Sequence, residues 1–264
     1  MALSKDTPLP VEVGNEGFIG SVPAAAVRIY DGAAVGCNSS GYGRGFTLGD
    51  TFVGHAVGGV DNSAGSAGDK NCKIRRGRYC LRVALSSVAI TDVYKGSPVY
   101  LTDDATYSLR KGLLCGKVVR YVSSGYAIVE FNTELQVQVL AETILRADMT
   151  DNTNTTGYKD FSGSIPKGAI VLGWRASIVT GFSGDTSAAV QVGKSGAVGS
   201  LSADTAQSCL TSSTDVGSAA VAATGFMNAA TTPRVTVTGA ADFTSISAGE
   251  MDIRIAYLAP LRAA

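Results

Sequence analysis

The chain has 264 residues, 32 of them glycine, with aromatic residues at only 7% and a formal net charge of zero. That length allows one large domain or two smaller ones, the glycine content favours short strands and tight turns over long helices, and neutrality argues against a general polyanion binder. The cysteines, Cys37, Cys72, Cys80, Cys115 and Cys209, are odd in number and show no C-x-x-C spacing, so they read as free, mostly buried thiols of a protein made in a reducing cytoplasm.

Met1 to Pro10 reads as an extended arm. Pro8 and Pro10 block helix and push the residues before them to extended geometry. The segment has acid, prolines and no apolar run, so it is not expected to be a signal peptide. It is either a frayed terminus or a latch that orders against a partner. Val27–Ile29 and Gly32–Gly36 read as short strands. Asn38–Gly45 is a loop whose Gly41-x-Gly43-x-Gly45 lacks the helix and the spaced acid of a dinucleotide site. In Thr51–Val57, Val53, His55 and Val57 share one face and Phe52 and Ala56 the other. His55, the single histidine, is expected as a half-buried packing residue and not a general base, since no orienting partner is recognisable. Val60–Lys70 is a polar loop.

Cys72–Val83 changes phase. Cys72 and Ile74 are apolar at even positions before Gly77, and Tyr79, Leu81 and Val83 at odd positions after it. A strand that switches its inward parity needs a bulge, and Gly77 is the natural site. Lys73, Arg75, Arg78 and Arg82 then fall on the outward face, with Arg76 at the kink. This basic stripe reads as a solvated sheet face, a contact for an acidic protein patch, or a nucleic-acid contact. The neutral chain and the absence of a stacking platform weigh against the last.

Asp92–Phe131 holds three or four short strands. GSPVYLT is extended, Asp103-Asp104-Ala105 is a turn, and Gly116 opens KVVRYV, which turns at Ser123-Ser124-Gly125 into YAIVEF as a hairpin. Composition shifts after Phe131, which places a boundary near residues 132–140. Asp148, Asp151 and Asn154 lie in a polar loop without EF-hand spacing. Further on, Ile170, Leu172, Trp174, Ala176 and Ile178 share one strand face, opposite Arg175 and Ser177. Val235 and Val237 alternate with Arg234, Thr236 and Thr238. Met251, Ile253, Ile255 and Tyr257 alternate with Asp252 and Arg254. Several half-buried strands at this spacing indicate an antiparallel β-sandwich. The longest uncharged run, Val216–Pro233, lacks the Leu, Ile and Phe content of a membrane span. There is no Walker loop, H-E-x-x-H, G-x-S-x-G or paired-cysteine zinc site. The expectation is therefore no catalytic residue, no cofactor and no metal.

Several separated segments, in order, resemble the bacteriophage capsid decoration, or cement, proteins. They are MALSKD, IYDGAAVG (29–36), GDTFVGHAVGGVDNSAGSAGD (49–69), the basic strand with its bulge, VAITDVYKGSPVYLTDDATYSL (88–109) and GKVVRYVSSGYAIVEF (116–131). The resemblance covers about residues 1–131. Residues 138–264 resemble a β-sandwich domain of phage virion proteins through SIPKGAIVLG, VTGFSGDTSAAVQVG and SAGEMDIRIAYL. The resemblance implies an all-β chain. Residues 1–135 would form a small β-barrel or sheet decoration domain with an N-terminal arm, and residues 136–264 an antiparallel β-sandwich.

It also implies a non-enzymatic structural protein, made in the host bacterial cytoplasm and placed on the outer surface of the mature capsid. There it would bind the major capsid protein and brace neighbouring capsomers as a homo-oligomer, a trimer or alternatively a dimer, without nucleic-acid or membrane partners. Capsid contacts would come from Lys5, Lys73, Arg75, Arg76, Arg78 and Arg82. The alternative is a tail or fibre adhesin whose second domain binds host glycan.

Overall fold

Two-residue periodicity interrupted by glycines yields antiparallel strands throughout, and no α-helix occurs among the described residues. A computed structural model describes residues 4–7, 11–86, 92–123, 125–133, 137–152, 154–201, 206–219 and 226–258, except the side chains of residues 11–16, 92 and 219. The chain divides into two compact units, Met1–Gln136 and Val137–Ala264.

The first unit contains β1 (Val11–Pro23), β2 (Arg28–Ile29), β3 (Ala34–Cys37), β4 (Gly43–Gly45), β5 (Thr51–Ala56), β6 (Val60–Asp61), β7 (Asn71–Ala84), β8 (Pro98–Leu101), β9 (Tyr107–Ser108), β10 (Gly112–Ser123) and β11 (Tyr126–Asn132). The ladder runs β10–β11–β7–β5–β3–β4. Strand β1 lies along β7, β8 along β10 and β9 along β8, while β2 and β6 form a separate ribbon. Of the two expected forms, small barrel or sheet, the described pairings show a sheet that does not close into a ring.

The Asp92–Phe131 stretch supplies β8, β9 and the β10–β11 hairpin. Asp103 Oδ1 fixes the turn by accepting the N–H groups of Ala105 and Thr106 at 2.9 and 2.8 Å. Gly116 does not open β10; the strand begins at Gly112 and Gly116 lies inside it. There is no room for a Cβ at Gly116, which would meet the carbonyl oxygen of Glu130 across the ladder. Strand β1 has no alternating pattern, and Gly14, Gly17 and Gly20 argue against a strand, yet it pairs with β7 from Val11↔Leu81 to Pro23↔Asn71. Where it is described, the arm is tied to its own chain. Thr7 donates its N–H to the Asp31 carbonyl at 2.9 Å, and Asp31 donates its own to Asp6 Oδ1 at 2.9 Å. Met1–Leu3 and Pro8–Pro10 lie outside the described residues.

The heart of this unit is a cluster of rings. Phe131 stands 4.6 Å from His55, 5.7 Å from Tyr79, 5.6 Å from Tyr107 and 6.3 Å from Phe52, centroid to centroid. His55 is fully buried and not half-buried as the valine spacing suggests. A bulge between Val35↔Gly54 and Gly36↔Phe52 shifts the face of β5, so Phe52 and His55 pack together at 5.4 Å. Gly54 permits this. Its φ is +143°, and a Cβ there would run into the carbonyl oxygen of Arg75 on β7. All five cysteines are free and buried, as expected.

The second unit contains β12 (Val137–Leu145), β13 (Thr150–Asp151), β14 (Thr156–Asp160), β15 (Ile170–Ser183), β16 (Ala188–Gly193), β17 (Gln207–Ser208), β18 (Thr214–Ala219), β19 (Arg234–Gly239) and β20 (Ala248–Leu258). They make two antiparallel sheets, β18–β15–β20–β12 and β13–β14–β19–β16–β17, in a sandwich-like arrangement. Met251, Ile253, Ile255 and Tyr257 are buried, as are Val235 and Val237. On β15 the expected face holds only in part. Trp174, Ala176 and Ile178 are buried, but Ile170 and Leu172 are exposed and Val171 is inside. The cause is a bulge between Val171↔Tyr257 and Gly173↔Ala256, which reverses parity before Trp174. No helix among the described residues is long and apolar enough to cross a membrane.

Candidate partner-binding surface

The basic strand is β7, and its glycine is a bulge. Gly77 has φ +80°, and the β1 register passes from Phe18↔Arg76 to Glu16↔Tyr79, two residues of β1 against three of β7. Thr133 fixes the bulge from the other side. Its Oγ1 accepts the Gly77 N–H at 2.8 Å, and its N–H donates to the Gly77 carbonyl at 3.0 Å. Replacing Gly77 by Ala should destabilise the protein by about 1–2 kcal/mol, the cost of holding an L side chain in left-handed backbone, read as a lower urea midpoint with unchanged slope.

Lys73, Arg78 and Arg82 are exposed on β7, and Lys5 is exposed in the arm. Arg75 and Arg76 are half-buried. Arg75 is therefore not a fully outward member of the stripe. Its side chain lines a small cavity with Asp31, His55 and Leu81, and its charge bears on His55. Arg76 lies against β1, where a Cβ on Gly20 would stand 2.9 Å from Arg76 Cδ.

The exposed members have neighbours that the strand's own sequence does not name. Arg78 binds the Glu130 carboxylate at 2.9 Å, and Lys117 of β10 reaches the same carboxylate at 3.4 Å. Burial raises the Glu130 carboxyl, but the hydrogen bond and charge of Arg78, with Lys117, more than offset it and leave it below the usual carboxylate range. Arg82 stacks over the Tyr126 ring at 4.8 Å. Beside Arg78 and Lys117 a groove of about 370 Å³ runs past Pro98 and Leu114. Lys117, Arg120, Tyr126 and Glu130 become members of this surface only through the β7–β11–β10 pairing. The alternation within KVVRYV and YAIVEF marks outward positions but not which strand lies beside them.

His55 has Nδ1 at 2.7 Å from the Tyr79 hydroxyl and Nε2 at 2.7 Å from the Tyr107 hydroxyl. Its ring carries one proton, so one tyrosine accepts from the imidazole and the other donates to it. Burial, reinforced by the charge of Arg75, lowers its pKa to about 3. No group of three or more potential metal ligands occurs among the described residues. Trp174 is only 4% exposed and lies on the core side of its sheet.

No family model matches the chain, and no curated protein matches it. Among solved structures, the cyanophage Pam1 capsid asymmetric unit contains a chain 24% identical, with a TM-score of 0.34, over 47% of this chain and 85% of that one. A chain of infectious bursal disease virus, Gx strain, is 11% identical, with a TM-score of 0.21, over 96% of this chain and 74% of that one. Likenesses this distant assign the chain no role.

Proposed function

We propose that this chain is a structural, non-enzymatic virion protein that binds the exterior of the mature phage capsid through residues 1–135 and braces adjacent capsomers, acting as a homo-oligomer while residues 136–264 project outward. One observation carries the reading. Phe52, His55, Tyr79, Tyr107 and Phe131, which build the ring cluster, all fall in the separated segments that resemble the decoration proteins. The resemblance therefore follows the residues that make one core. A preformed β scaffold loses little entropy on docking, and several copies in one oligomer gain avidity from effective concentration. The exposed cations Lys5, Lys73, Arg78 and Arg82 suit an acidic shell, with Arg75 and Arg76 contributing from half-buried positions.

Purified protein mixed with undecorated heads should sediment with them, and absence from the pellet at every salt concentration would reject the reading. Reversing two exposed charges, Arg78→Glu with Arg82→Glu, should slow association by about tenfold at low salt and flatten its ionic-strength dependence. The free protein should lose no more than about 0.5–1 kcal/mol per site, as for surface substitutions and exposed ion pairs.

A further inference from the structure

The loop Asn62–Lys70 joins β6 to β7, and Ser63 to Lys70 are all exposed. Asn62 is the exception, with only 1% of its surface exposed. Its amide is oriented by what surrounds the nitrogen. Nδ2 faces the carbonyl oxygens of Ser66, Ala25 and Ala24 at 2.8, 3.1 and 3.4 Å. Three acceptors around that atom exclude the flipped amide, in which oxygen would face oxygen. Oδ1 therefore has a fixed direction, and it is buried there without a hydrogen-bond partner. A buried acceptor that no donor reaches is costly and calls for a ligand. Asp69 comes to the same place. A Cβ on Gly65 would stand 2.6 Å from Asn62 Oδ1 and 3.0 Å from Asp69 Oδ2, so the two oxygens converge on one spot that only glycine leaves open. Asp69 is exposed, and its Oδ2 accepts the Ser66 N–H at 2.7 Å. The adjacent charges turn elsewhere. Lys70 Nζ donates to the Asp61 carbonyl at 2.6 Å, and Asp61 Oδ1 accepts the Ser63 N–H and hydroxyl at 3.1 and 2.6 Å.

We propose that Asn62 Oδ1 and the Asp69 carboxylate, gathered beside Gly65, form a calcium site whose shell is completed by water. The site goes beyond the capsid-binding reading and does not rest on it. An amide oxygen that no donor reaches, beside a carboxylate, is the ligand chemistry of a hard cation. Calcium suits it better than magnesium. Calcium takes neutral amide oxygens in irregular geometry, whereas magnesium demands a near-ideal octahedron and gives up its water reluctantly. The pair holds one carboxylate and no histidine or cysteine, which sets it apart from a cluster of three such ligands. With so little ligand charge the dissociation constant belongs at the weak end of calcium sites, about 10⁻⁴–10⁻³ M. A buried water could also satisfy Oδ1, but it would give the protein no response to calcium.

The test uses the full chain with calcium, magnesium and terbium as probes. Tyr42 supplies a local reporter, because its ring lies against the loop, with Cε1 3.2 Å from where a Cβ on Gly68 would stand. Terbium excited through tyrosine should luminesce saturably, and calcium should displace it where equal magnesium does not. Calcium should also raise the melting midpoint, since it binds the folded loop and not the unfolded chain. Asp69→Asn keeps the shape of the side chain and an oxygen for the Ser66 N–H, and should weaken terbium and calcium binding by about tenfold or more through the lost ligand charge. Gly65→Ala puts a methyl group on the spot where the oxygens converge and should remove the response by a separate route. Tyr42→Phe should dim the luminescence but leave the calcium shift in the midpoint. Asp148→Asn, which changes an exposed acid in the second unit, should alter neither signal. A midpoint that calcium does not move, terbium that calcium does not displace, magnesium as effective as calcium, or a folded Asp69→Asn or Gly65→Ala protein that responds like wild type would each overturn the proposal.

Discussion

Phe131→Ala should remove about 3–5 kcal/mol, the range for deleting a buried phenylalanine, and that is a large part of what a domain of this size has to lose. Phe131 is fully buried, and four other rings of the cluster stand around it. Its truncation would leave a void between His55, Tyr79 and Tyr107 that the surrounding strands can fill only in part. Circular dichroism should show the loss as an early melting transition. The chain's single tryptophan, Trp174, lies in the second unit and reports on that unit alone. If the units fold independently, the Trp174 fluorescence midpoint should stay where it is in the wild type. A tryptophan midpoint that falls with the dichroism signal would mean that one unit cannot stand without the other.

Acid should destabilise the protein well above the pH at which carboxylates titrate. His55 has a pKa of about 3 in the fold, pushed down by burial and then by Arg75, against about 6.5 in an unfolded chain. The sign follows from where the proton goes. Between those values the unfolded chain binds it and the native state does not, so stability falls as pH falls through this window. The slope is about 1.4 kcal/mol per pH unit, giving a loss of roughly 2.5 kcal/mol between about pH 7 and pH 4.5. The chain has one histidine, so this window belongs to one residue. The depressed carboxyls of Glu130 and Asp160 add their own loss only as pH drops further. Urea melts of His55→Gln, which keeps a donor and an acceptor for the two tyrosines, should be nearly flat across the same range. A wild-type profile equally flat would show that the imidazole can charge where it stands.

The all-β class and the antiparallel pairing were legible because alternation reports burial directly. The β20 residues Met251, Ile253, Ile255 and Tyr257 face inward as their spacing requires. Parity fails wherever a strand carries a glycine bulge. At Gly77 the flanking residues are distinct enough, charged outside and apolar inside, for the switch to be visible. At Gly54 both faces of β5 are buried, so the pattern has no contrast and His55 is placed on the wrong neighbours. At Gly173 the flanks Ile170, Val171 and Leu172 are all aliphatic, and the reversal is silent for the same reason. The basic surface was half legible. Arg78 and Arg82 follow from the parity of their own strand, whereas Lys117, Arg120 and Glu130 join them through neighbours set by tertiary pairing.

The buried thiols give the molecule an internal clock. Cys37, Cys72, Cys80 and Cys115 belong to the first unit and Cys209 to the second, and burial raises Cys72 to about 11 and Cys209 to about 12. A thiol held protonated and out of contact with solvent does not react with a disulfide reagent, so each modification event counts an opening of the structure around it. Labelling followed by mass analysis would therefore time the opening of each unit separately without any engineered probe. On a particle, the ratio of the two clocks would tell which unit the surroundings hold shut.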